Sequence, residues 1–237
     1  MRKDVLAGIA LAFMAASIPA FASDGLGKNL NLYYGTTNLS FGGLTYTGNN
    51  GGTIPNIRIS SPYNIGNFYL GISSDLSFGH INGLRADRYT FNIEPGWIFP
   101  INKDLAFVPY IRLAALGQAI YGITGSKSAH DSHISSGSNV KFGYNIGGGA
   151  AVQWSPVNRL VIVPSFDISY YRQGYDAYEN DHSKYTAYIS TSEYRERLGV
   201  YYYLTNWLDL GINIGADQYG TGGGSIVSYD AGLGVNF

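Results

Sequence analysis

The chain of 237 residues contains no cysteine. Disulfides and thiolate metal sites are therefore excluded. Charge is scarce as well: Asp, Glu, Lys and Arg together make up 13% of residues, about half the ~25% of an ordinary soluble domain. The formal net charge is −1, which gives no electrostatic reason to expect nucleic acid or another polyanion as a partner. Beyond the N-terminal region no segment approaches the ~18 consecutive apolar residues of a spanning helix. Familiar chemical signatures are missing too: a Gly-Lys-Ser/Thr phosphate loop, His-Glu-x-x-His and Gly-x-Ser-x-Gly. The run Gly147–Gly149 falls inside a strand pattern, and Gly220–Ser225 precedes a strand rather than a helix, so neither fits a nucleotide-binding turn. With no linker, no low-complexity block and no repeat of ~20–50 residues, one domain is expected.

What the chain does have is apolar residues, glycine and tyrosine. Hydrophobic residues make up 45%, with 32 Gly and 21 Tyr. Glycine suits crowded interiors and turns, and tyrosine suits membrane interfaces. The N-terminus starts with Met1-Arg2-Lys3, continues apolar from Val5 to Ile18, and then places small residues around Phe21 in Ala20-Phe21-Ala22. That is the pattern of a secretory signal peptide over 1–22, cut before Ser23. The apolar run is short of the ~20 residues of a membrane anchor. Residues 23–237 are then the expected mature domain.

The last stretch carries the most specific pattern. From Val227 every second residue is apolar: Val227, Tyr229, Ala231, Leu233, Val235 and Phe237. Ser228, Asp230, Gly232, Gly234 and Asn236 lie between them. Side chains alternate faces on a strand, so one face is apolar and the other polar or empty. A final strand of this kind, ending in Phe, resembles the closing strand of the bacterial outer-membrane β-barrel family, with Tyr229, Leu233, Val235 and Phe237 as the matching positions. The resemblance implies an all-β fold, a single antiparallel transmembrane barrel in the bacterial outer membrane. It implies lipid and lipopolysaccharide as surroundings. It also implies that the barrel-assembly machinery reads the final strand.

The rest of the chain supplies similar ~10-residue alternating segments, as membrane barrels do. Outward sets are expected at Leu30–Thr36, Ile57/Ile59, Phe68–Phe78, Tyr89–Phe99, Leu105–Leu113, Val140–Trp154, Leu160–Tyr170, Tyr194–Leu204 and Leu208–Ile214. Turn chemistry appears at Ser61–Asn64, Pro100–Asp104, Ser155–Asn158 and Thr205–Asn206. Polar connections are expected at His80–Arg85, Tyr121–Ser138 and Gln173–Ser183. The count is about ten strands, with eight as the alternative, even numbers that suit a closed barrel. Glu196 falls on the lipid side in this register, so either it lies at the outer interface or a bulge shifts it.

The candidate functional residues are the inward charges Asp75, Glu94, Arg112, Lys141, Asp167, Arg197 and Asp230, expected to form a belt in the lumen. In a narrow lumen isolated charges are costly, so opposite signs should pair. Such a belt either plugs the barrel or forms a constriction that selects small solutes. The four histidines, His80, His130, His133 and His182, fall in expected connections near Asp131, Glu179 and Asp181. Solvated loop histidines, a metal or proton sensor, and a rim hydrolase are the three readings. The leading function is a non-enzymatic integral barrel, structural or narrowly conducting, with no cofactor and no metal. The alternative is a surface protein that binds an extracellular ligand through its loops. A rim-located outer-membrane hydrolase comes third.

Overall fold

The computed structural model describes residues 25–47, 51–81, 84–120, 141–179, 183–220 and 224–236. They begin with a short helix, α1 (Lys28–Tyr34), and continue as strands β1 (Thr36–Tyr46), β2 (Gly52–Ile65), β3 (Phe68–Ile81), β4 (Leu84–Trp97), β5 (Phe99–Asn102), β6 (Leu105–Ile120), β7 (Lys141–Trp154), β8 (Leu160–Glu179), β9 (Ser183–Tyr203), β10 (Leu208–Tyr219) and β11 (Ser225–Asn236). The sheet order is β4-β3-β2-β1-β11-β10-β9-β8-β7-β6-β5, with β4 also paired to β6. That extra pairing closes ten long antiparallel strands into a barrel, and the short β5 stands as one additional strand. The seam between the first and last strands is in register from Thr36↔Asn236 to Tyr46↔Ile226.

The period-2 pattern explains which way each strand faces. Along β7, Phe142, Tyr144, Ile146, Val152 and Trp154 are exposed, whereas Asn145, Ala151 and Gln153 are buried. Along β10, Leu210, Ile212 and Ile214 are exposed, and Asp209 and Asp217 are buried. This is the inverse of a soluble protein: apolar side chains cover the outside and polar ones fill the inside. Trp97, Phe99, Trp154 and Trp207 are all exposed near the end where the connections are short turns, as in the aromatic girdle of a membrane interface. One of these turns is the two-residue Gly66-Asn67, where Gly66 takes φ +59°, a left-handed backbone that hairpins of this length require.

Four expectations change. Residues 28–34 are helical, not a strand: Leu30, Tyr33 and Tyr34 are buried together at helical i, i+3, i+4 spacing. The first strand starts at Thr36, which is buried inside rather than facing out. The turn expected at Ser61–Asn64 lies within β2, and the chain reverses after Ile65. The loops expected at His80–Arg85 and Gln173–Ser183 are largely strand: β3 runs to Ile81 and β4 starts at Leu84, while β8 runs to Glu179 and β9 starts at Ser183. The connection Tyr121–Ser138 lies outside the described residues.

Helix α1 fills the turn end of the barrel. Leu30, Tyr33 and Tyr34 pack with the inward residues Val108, Val161, Val163, Tyr69, Tyr110, Tyr201 and Tyr203 into one apolar core. At ~1.5–3 kcal/mol per fully buried large side chain, this contact holds a helix too short to be stable alone. Polar ties fix its orientation. Asn29 donates to the Ser155 hydroxyl at 2.9 Å, and Asn236 donates to the Leu32 carbonyl at 2.5 Å. Tyr34 donates to the buried Gln153 side chain.

Candidate functional site

Above the apolar core lies a charged layer, and strand register explains its layout. Arg112 on β6, Gly147 on β7, Ser169 on β8 and Glu193 on β9 are successive cross-strand partners. Tyr110, Gly149, Asp167 and Arg195 form the neighbouring row. The two glycines leave β7 without inward side chains between β6 and β8. A Cβ on Gly147 would come within 2.4 Å of the Ser169 Cα and Cβ, and one on Gly149 within 2.4 Å of the Asp167 Cβ. Arg112 therefore reaches over β7 to bond groups two and three strands away, ~4.8 Å per strand.

The arginine at position 112 is 1% exposed. Its Nη1 lies 2.6 Å from the Glu193 carboxylate and 3.2 Å from Asp167, and its Nε donates to Asn92 at 3.3 Å. Asn145 also donates to Glu193. Arg195 binds Asp167 through Nε at 2.6 Å and Glu94 through Nη2 at 2.5 Å. Glu94 sits on β4, across the lumen from β9 in the strand order. Tyr110 completes the cluster with a hydrogen bond to Asp167 at 3.2 Å. Charge-assisted bonds this short, among buried side chains, are the strong kind.

The remaining belt residues are looser. Asp75 faces Arg58 at 3.7 Å, and Arg197 faces Asp217 at 3.5 Å. Asp217 also lies 3.8 Å from Arg88. Asp230 accepts from Asn213 at 2.8 Å. Lys141 begins β7 opposite Gln118, and nothing is described of its side chain. The tight cluster thus joins Glu94, Arg112 and Asp167 from the sequence reading to Glu193 and Arg195. Neither of those two was among the belt residues expected from the sequence. Their signal was their register opposite Ser169 and Asp167, which follows from strand pairing.

Two further layers complete the interior. Between the charged cluster and the apolar core is a cavity of about 90 Å³, lined by Arg58, Arg195, Arg197, Glu94, Tyr33 and Asn213 among others. Toward the other end, Leu44, Ile54 and Ile226 form a second small apolar cluster with Tyr46 and Tyr219 packed against it.

The rest of the candidate residues lie elsewhere. His80 is exposed on β3; His130, His133 and His182 lie outside the described residues. Among the described residues no group of three or more His, Asp or Glu is arranged to hold a metal ion. Tyr229, Leu233 and Val235 face outward on β11, paired on both sides by β1 and β10. Phe237 lies outside the described residues.

A closed antiparallel barrel with an apolar exterior, an aromatic girdle and a charged interior is a transmembrane β-barrel of the bacterial outer-membrane type. The chain is similar to several solved structures. The outer-membrane protease OmpT from Escherichia coli is 11% identical, covering 94% of this chain and 100% of its own, with a TM-score of 0.53. Neisserial surface protein A is 14% identical over 85% of this chain and 96% of its own, at a TM-score of 0.42. The β-domain of the Bordetella autotransporter BrkA is 12% identical over 86% and 99%, at 0.48. No protein-family model and no curated protein sequence matches the chain.

Proposed function

We propose that this protein is a sealed, non-conducting and non-enzymatic barrel of the bacterial outer membrane, which acts through the surface it presents beyond the membrane. The observation that carries this reading is the interior. An ion must pass α1 and its apolar core, then the cluster around Arg112 and Arg195, then the layer of Leu44, Ile54 and Ile226. The Arg195–Glu94 bond crosses the lumen between facing walls. A wet constriction would keep its charges solvated, whereas Arg112, Asp167, Glu193 and Arg195 are each 2% exposed or less.

A second feature favours a binding role. Among the described residues, β7 follows β8 as far as Gly143↔Gln173, and β10 follows β9 as far as Tyr219↔Glu193, with Gly220 bonded to Ser192 one residue on. The pairs from Gly174↔Tyr188 to Glu179↔Ser183 therefore continue as a two-stranded ribbon, rising roughly 20 Å at ~3.4 Å per residue. At its base Arg172 stacks over the Tyr188 ring at 4.4 Å, and Tyr188 and Ile189 are exposed. The turn end is the periplasmic side in barrels of this type, so the ribbon would point outward from the cell.

Conductance of the purified protein in planar bilayers tests the first part. Silence at all voltages short of bilayer rupture is expected. Reproducible single-channel steps with a defined ion selectivity would overturn the sealed-barrel reading.

A further inference from the structure

We infer that the lumen cavity is a binding site for one small oxyanion, of the phosphate or sulfate class, held between Arg58 and Arg197. Three guanidinium groups line this cavity, those of Arg58, Arg195 and Arg197, against one carboxylate, Glu94. Arg195 is paired closely with both Glu94 and Asp167, at 2.5 and 2.6 Å. Glu94 is thereby spent on Arg195, which leaves the other two cations short of partners.

Arg58 has its ion pair with Asp75 at 3.7 Å, beyond hydrogen-bond length, and its buried Nε has no partner among the described residues. Arg197 touches Asp217 at 3.5 Å, the edge of a hydrogen bond, and its buried Nε likewise has no partner among the described residues. Asp75 and Asp217 do not line the cavity. A guanidinium carries five donors in a planar fork that matches a tetrahedral oxyanion, and buried polar groups are normally satisfied. A void of about 90 Å³ exceeds one water's share of liquid, ≈ 30 Å³, and admits a small anion. Asn213 adds an amide, and Tyr33 closes the site from the helix side.

The site does not depend on what the outer ribbon binds, and its test is separate from the conductance test. Protein is unfolded, then refolded into detergent in buffer free of oxyanions. Sodium phosphate is added during refolding, at constant ionic strength made up with chloride. The thermal unfolding midpoint and the bound radiolabelled phosphate per chain are measured. The expected result is a saturable rise in midpoint and one phosphate per chain. Both should be lost in Arg58→Gln and Arg197→Gln. Those variants strand a carboxylate and can fold poorly, so a third variant supplies the anion internally. Ser165 lines the cavity and is the cross-strand partner of Arg197. Ser165→Asp should unfold at a higher temperature than the parent in phosphate-free buffer and show no response to phosphate. No phosphate bound by the parent chain would overturn the inference, the cavity then holding water. So would a phosphate response of unchanged size in Ser165→Asp.

Discussion

Replacing Arg112 by Met tests the charged layer most directly. Asp167 would keep Arg195 at 2.6 Å and the Tyr110 hydroxyl at 3.2 Å. Glu193 would keep the Asn145 amide and the Ser169 hydroxyl but lose its cation, and its Oε1 is already without a partner. The loss therefore falls on Glu193, which is fully buried. Removing one partner of a buried pair costs about 3–5 kcal/mol. Neutralising the stranded group should recover part of that loss. Arg112→Met/Glu193→Gln is expected to cost less than the two single changes summed, by about 0.5–3 kcal/mol. Urea unfolding in phospholipid vesicles, followed by tryptophan fluorescence, measures all three variants by linear extrapolation. Trp97, Trp154 and Trp207 lie on the outer face and report insertion without touching the cluster. If Arg112→Met stays within about 1 kcal/mol of the parent and the changes add without coupling, the cluster is hydrated. The lumen is then not sealed by this layer.

Three further predictions use the same assay. Gly149→Ala brings a Cβ within 2.4 Å of the Phe166 carbonyl and the Asp167 Cβ, so it should cost about 1–3 kcal/mol; Gly148→Ala, whose Cβ meets nothing nearer than 3.5 Å, should stay within about 0.5 kcal/mol. Ile212→Arg places a charge on the lipid face of β10 and should cost about 2–4 kcal/mol, against about 0–1 for Trp207→Arg at the interface. Glu196 is exposed on the outer face, opposite Phe166 and Ala216, so Glu196→Leu should stabilise the barrel, by less than the ~2–4 kcal/mol of a mid-membrane Arg. A loss of stability in that variant would mean that the carboxylate has a partner on the membrane face.

Much of this fold was legible because a membrane barrel writes its alternation onto every strand. The set Leu208, Leu210, Ile212 and Ile214 against Asp209, Asn213 and Asp217 admits one register, and the structure has it. Glu196 is likewise paired without a break to Phe166 and Ala216, so no bulge turns it inward. The N-terminal segment failed for a local reason. Asn29-Leu30-Asn31-Leu32 alternates like a strand, whereas Leu30, Tyr33 and Tyr34 also match one helix face, and seven residues are too few to choose between the periods. The partners of the inward charges were hidden for a different reason. Counting residues from the turn end ranks heights along each strand, but strand tilt and stagger decide which heights meet. Glu193 and Arg195 therefore meet Arg112 and Asp167, while Asp230 is met by Asn213 and no cation bonds it at hydrogen-bond distance among the described residues. The long β8–β9 hairpin was read as a loop because its polar, tyrosine-rich sequence lacks an apolar face. A ribbon beyond the membrane needs none.

The Arg195–Glu94 bond also bears on how the barrel is built. Strands β9 and β4 never share a ladder, so no hairpin or partial sheet brings these two residues together. They meet only after the sheet has curled and β4 has paired with β6. A strand pair slipped by two residues keeps its apolar face outward and its ladder bonds, so the bilayer cannot distinguish it from the correct one. The slip would nevertheless move Arg195 ~7 Å along the wall, taking from Glu94 its cation and from Asp167 the nearer of its two. The interior charges thus act as a checksum on the stagger of the finished barrel. They penalise miscounted closures that the hydrophobic exterior would accept.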